Sequence, residues 1–182
     1  MDPERAKATA TELRARLRAT SAKPIDLARW LDDLPETDRI AAVRGLGRAD
    51  QRRLWDLVDR FAAVRLQDLV PPDVPALATV RHFGRNTLPA FSLFEKRFTR
   101  PSGEDAEAPA ELHGFNFQAM SRYTGPGYFV AVEDPDREEV LIDYRRLPHQ
   151  HPDGWPDIVP NDRGLSRFVY GNMVDTLRRV SE

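Results

Sequence analysis

The chain has 182 residues, 41% hydrophobic and 31% charged, with a formal net charge of −2. That is the balance of a soluble globular protein of one domain or two small ones. It holds no cysteine, which excludes disulfides, thiolate catalysis and thiolate metal centres. Lys7, Lys23 and Lys96 are its only lysines. The arginines are spread along the chain rather than clustered, so no nucleic-acid footprint is expected. No run approaches the roughly 18–20 apolar residues of a membrane span. The opening "MDPERAKATATELRARL" lacks the apolar stretch of a secretory signal. A cytoplasmic location without a membrane partner is the expectation.

Residues 1–70 read as helix. Ala6, Ala10, Leu13 and Leu17 recur at helical spacing. From Ser21 to Phe61 a faint repeat follows. Asp26, Asp38 and Asp50 stand at equal intervals, with Leu31, Val43 and Trp55 five residues after each and Leu34, Leu46 and Val58 eight after each. This predicts three successive short helices, each with an acid near its start to oppose the helix dipole. Pro24 and Pro35 suit helix entrances, and "GLG" at 45–47 supplies a stop. Such helices form either a small bundle or an array that exposes a groove for a protein partner. "LVPPDVP" (69–75) cannot continue a helix.

Residues 71–182 read as an antiparallel sheet. Strands are expected within 87–100, over Phe115–Tyr123, Tyr128–Glu133 and Val140–Arg145, with an acidic loop at 101–111. "DPDR", with Pro135 second, forms the turn of a hairpin. "TGPG" (124–127) has no lysine after it and leads into a strand, so it reads as a turn and not a phosphate loop. The two hairpin strands are apolar on both faces and need cover on both. That requirement predicts helices over one face, or a sheet curled over its own core, and halves that pack together. The apolar spacing of Leu165, Phe168, Val169, Met173, Leu177 and Val180 predicts a closing C-terminal helix, with a strand at "RFVYG" (167–171) as the alternative that Gly171 keeps open. The expected fold is therefore α+β: a helical segment, 1–70, packed on a mostly antiparallel sheet of four or five strands, 71–182, closed by a helix.

No established catalytic or nucleotide-binding motif is present. "HQHPD" places His149 and His151 two residues apart before Asp153. That pattern can hold a divalent metal when it lies in a strand, but Pro148 and Pro152 bracket it, so neither a metal nor another cofactor is expected. His82 and His113 read as strand-edge residues. Asn116, Asp143, Asn172 and Asp175 interrupt apolar patterns. Asp143 could act as a general base if burial raised its pKa, or could pair with Arg145 or Arg146. The aromatic side chains gather in the second half, and Tyr123, Tyr128, Tyr144, Trp155 and Tyr170, with Asp143, are the candidate ligand-binding set. Three functions stay open: a non-catalytic interaction or adaptor protein working through its helical half, a small-molecule-binding domain with an aromatic-lined apolar pocket, and an enzyme using Asp143 with His149 and His151.

Overall fold

The computed structural model describes residues 3–86, 92–118, 125–162, 164 and 166–182. The chain begins with α1 (Pro3–Arg18), α2 (Pro24–Asp32), α3 (Glu36–Arg44), α4 (Arg48–Leu57) and the single turn α5 (Leu66–Leu69). Strands β1 (Val80–Arg85), β2 (Leu93–Thr99), β3 (Leu112–Phe117), β4 (Tyr128–Asp134) and β5 (Glu139–Asp143) follow, then α6 (Ser166–Tyr170) and β6 (Val174–Leu177). The strands form one curled antiparallel sheet in the order β1-β2-β3-β4-β5-β6. The fold is α+β. No helix among the described residues is long and apolar enough to cross a membrane.

Two departures from the expected fold concern the sheet. It has six strands, not four or five, and the predicted closing helix is a five-residue helix followed by β6. Asn172 explains the second departure. It takes a left-handed backbone, φ 58°, directly after Gly171, whose N–H bonds the Arg167 carbonyl at 3.1 Å. That geometry ends a helix. Val174 and Thr176 then sit in a ladder with β5, Asp143 opposite Val174 and Leu141 opposite Thr176, where branched side chains are favoured. The helix-like apolar spacing was coincidental, and Phe168, which it placed on a buried face, is 85% exposed.

The chain divides into two compact units: Met1–Ala63 with Phe83–Leu93 and Arg178–Glu182, and Val64–His82 with Phe94–Leu177. In the first, α1 packs against α3 and α4, and Leu13, Leu17, Leu27, Leu31, Leu46 and Val58 form the core. Two of the three repeated aspartates act tertiarily. Each occupies the third position of its helix, and no cap residue (Lys23, Pro35, Gly47) makes a side-chain cap bond. Asp38 and Asp50 are buried and pair with Arg5 (2.6 Å) and Arg18 (2.9 Å) of α1. The period that sets the helix starts thus also sets where α1 docks.

In the second unit, period-two alternation divides the side chains between two sheet faces. One face carries Phe98, Leu112, Phe129, Ala131, Val140, Ile142 and Tyr144, covered by Val64, Leu66, Leu69 and Val70 around α5 and by Tyr170. Glu133 pins α5 there, accepting from the Leu66 N–H (2.9 Å) and from Arg65 (3.0 Å). The other face carries Phe115 and Tyr128 under Trp155 and Ile158. Both faces of the apolar hairpin are therefore covered from within this unit. The hairpin itself turns at Pro135–Glu138, with the Asp134 carboxylate accepting from the backbone N–H groups of Asp136 and Arg137.

Gly127 of "TGPG" does more than turn the chain. Its φ is +60°, and a Cβ there would lie 2.4 Å from the Tyr170 ring. Gly127→Ala is expected to destabilise the protein by at least about 2 kcal/mol, from left-handed strain plus overpacking. Gly103→Ala, at φ +93° with nothing within 4 Å of the added carbon, should cost only the strain term. Urea unfolding of both variants checks the difference; equal losses would mean that the Tyr170 ring does not constrain the turn.

Candidate functional site

A buried cation, Lys96, stands in the middle of β2 on the sheet face that carries Tyr144. Its ammonium donates to Asn116 Oδ1 (3.1 Å), to Asp175 Oδ2 (3.0 Å) and to the Tyr144 hydroxyl. Asn116 Nδ2 donates to the same hydroxyl at 2.8 Å, and that hydroxyl donates on to Asp175 Oδ2 at 3.2 Å. Tyr144 stacks on Tyr170, ring centroids 5.3 Å apart, and Gln118 donates to the Tyr170 hydroxyl at 2.8 Å. Burial pushes the Lys96 ammonium below the ordinary lysine range, against the pull of Asp175. Burial, with the Asp175 charge next, pushes the Tyr144 phenol well above its own.

A buried lysine with a lowered pKa invites a catalytic reading, but hydrogen-bond counting argues for a structural role. An ammonium has three donors and all three are used; a phenol has one donor and two acceptor sites, and all are used. Neither the ammonium nor the phenol has a valence left for a ligand.

The opposite face differs. A cleft of about 440 Å³ is lined there by Arg97, Phe115, Phe117, Pro126, Gly154, Trp155 and Pro156. Phe117 is 47% exposed and carries the Arg97 guanidinium over its ring at 3.9 Å. Phe115 and Trp155 meet edge to face at 4.7 Å, and the Trp155 indole N–H donates to Thr79 at 2.8 Å. Arg97 Nε donates to Glu95 at 3.2 Å. Its two terminal nitrogens carry no hydrogen bond among the described residues, although its side chain is only 23% exposed. Glu95 is already held through both oxygens by Arg81, at 2.7 and 3.1 Å. Two guanidinium groups thus share one carboxylate, and the surplus positive charge faces the cleft.

No protein-family model, curated protein or solved structure matches this chain.

The candidate side chains split between the two faces. Trp155 lines the cleft. Tyr128 lies beneath it in the small core with Phe115 and Trp155, and its hydroxyl donates to the Pro156 carbonyl. Tyr144 and Tyr170 belong to the lysine face. Tyr123 lies outside the described residues. Asp143 accepts from Arg145 through both oxygens at 2.8 Å, which lowers its pKa; a buried general base would need the opposite shift. His149 stacks edge to face on His113 at 4.5 Å, whereas His151 packs by Tyr128 and donates to the Pro152 carbonyl. His113 is no edge residue: it is wholly buried in the third strand of six. Lys96 and Arg97 were not among the candidates. The one available signal was the lysine's isolation, in "FEKRF", from an otherwise arginine-rich basic set.

Arginine bonds lower the pKa of Glu95 (Arg81 foremost) and of Asp143 (Arg145) from ordinary values of 4.5 and 3.8. A depressed folded pKa gives stability that is complete above the unfolded value and is lost as pH falls through the folded one. The urea midpoint should therefore decline as pH drops below about 4.5. It should decline less steeply in Glu95→Gln/Asp143→Asn; parallel curves would show that the two pairs are no stronger in the folded state.

Proposed function

We propose that the sheet unit is a small-molecule-binding domain and that its cleft takes a ligand with a flat apolar body and an anionic group. The observation that carries this reading is the Arg97 guanidinium at the wall of an aromatic cleft of about 440 Å³, its two terminal nitrogens without a hydrogen bond among the described residues. Ligand sites combine an apolar lining with a few placed polar groups, and a guanidinium fork fits a carboxylate or phosphate in two bonds. Stacking on Phe117 holds the fork in place before a ligand arrives, which reduces the entropy lost on binding. Phe115, Phe117 and Trp155 supply the faces on which an aromatic ring lies.

Protein binding by the helical unit is the second reading. A groove of about 490 Å³ on that unit is lined by Lys7, Arg14, Arg44 and Arg85 among alanines at 6, 10 and 41, a lining that suits an acidic partner segment. It ranks second because Arg14 and Arg85 are already committed to the backbone carbonyls of Gly45 and Arg44, which leaves fewer free donors than the cation count implies.

Trp155 provides the readout. In a Trp30→Phe/Trp55→Phe background its fluorescence reports on the cleft alone, and a panel of aromatic carboxylates and aryl phosphates supplies the probes. A saturable change is expected, weakened roughly ten- to hundredfold by Arg97→Met, the worth of a charged hydrogen-bonding group. No saturable binding across the panel, or an affinity indifferent to Arg97→Met, would sink the proposal.

A further inference from the structure

At the other end of the same β3 face, His113 and Glu111 meet in an arrangement that needs a cation between them. His113 Nδ1 lies 2.8 Å from the Gln150 carbonyl oxygen. A carbonyl only accepts, so Nδ1 carries the hydrogen and donates it. In the neutral ring this leaves a lone pair on Nε2, and Nε2 points at Glu111 Oε1 from 3.0 Å. Two lone pairs at that distance repel unless a proton or a metal ion lies between them. His149 supplies a third donor: its Nδ1 is 3.8 Å from the same Glu111 oxygen, and the donor atoms of all three residues lie within 4.8 Å of one another.

We propose that Glu111, His113 and His149 bind a divalent transition-metal ion of the zinc type, through Glu111 Oε1, His113 Nε2 and His149 Nδ1. Ligands about 2.0–2.2 Å from such an ion stand about 3–3.5 Å apart, and the observed separations need only a small inward movement of His149, which is free to make it at 64% side-chain exposure. Two nitrogens and one carboxylate oxygen are a recurrent set for zinc and iron with open positions. The surroundings behave as outer-sphere partners do. The Gln150 carbonyl fixes the His113 tautomer. Arg146 holds Glu111 by Oε2 at 2.5 Å, so Oε1 is the oxygen turned to the ion. The Gln150 side-chain nitrogen lies 3.1 Å from His149 Nε2 and donates to the Ser102 carbonyl at 3.4 Å; ligation through His149 Nδ1 requires the hydrogen on Nε2, so that side chain must move off His149 when the ion binds. The Arg146 charge opposes a dication, so the affinity is expected to be moderate. The site stands independently of the aromatic cleft.

Zinc titration of the chelator-stripped 182-residue protein by calorimetry, with metal analysis after gel filtration, tests this. One equivalent per chain is expected. His149→Ala and Glu111→Gln should each weaken it tenfold or more, and His151→Ala should leave it unchanged. Because His149 is exposed, its variant should keep the wild-type circular dichroism and unfolding midpoint without zinc. Cobalt should give visible bands in the wild type that His149→Ala loses. No retained zinc, or zinc held equally by His149→Ala, overturns the proposal and leaves a proton between His113 and Glu111.

Discussion

The Lys96 ammonium sets how far the sheet must curl. Strands spaced about 4.8 Å apart place β2 and β6, four steps removed from each other, about 19 Å apart in a flat sheet. Yet Lys96 Nζ on β2 lies 3.0 Å from Asp175 Oδ2 on β6. The sheet must curl across the lysine face to close that gap, with Tyr144, one residue past β5, and Asn116 of β3 filling the space between. A buried charge whose partner is removed is strongly destabilising, so the network also fixes register. Lys96 stands opposite Asn116 and Ile142 opposite Asp175. A one-residue slip of β2 or β6 would turn its charged group to the wrong face.

That constraint separates the two faces chemically. The inner face must satisfy every donor of the ammonium to hold it. Tyr170 closes it by stacking on Tyr144, and its ring fits only because residue 127 has no side chain. Groups that a ligand could complete therefore collect on the outer face, where nothing requires closure. The Arg97 fork and the Glu111–His113 pair are both there, at opposite ends of a patch floored by Phe115 and Tyr128 and roofed by Trp155.

What the sequence disclosed was local. The β4–β5 hairpin is written in four turn residues and two flanking apolar runs, and the helix starts are written in proline and aspartate spacing. The network was hidden because its members lie 20, 48 and 79 residues from Lys96. Within "FEKRF" the lysine sits between Glu95 and Arg97 and looks like any solvated strand residue. Asn116 and Asp175 did stand out, as polar interruptions of apolar patterns, but nothing local named a shared partner. The aromatic set misled in a definite way. Tyr128, Tyr144, Trp155 and Tyr170 are close in sequence and similar in chemistry, but a strand alternates its faces, and proximity along the chain carries no information about which face a loop aromatic will cover. The C-terminal segment failed for the opposite reason. Its apolar spacing fits a helix well, and one left-handed residue, Asn172, outweighs it.

The outer face also shows a repeated charge motif. Glu95 is shared by Arg81 and Arg97, and Glu111 by Arg146 and His113. In each trio the first base takes the carboxylate in a short bond (2.7 and 2.5 Å) and the second makes a longer one (3.2 and 3.0 Å). A carboxylate already neutralised on one side holds its second partner less firmly, so that partner's remaining valence, two guanidinium nitrogens in one trio and an imidazole lone pair in the other, is what a ligand meets. Arginine recruits an anion and a neutral imidazole recruits a cation.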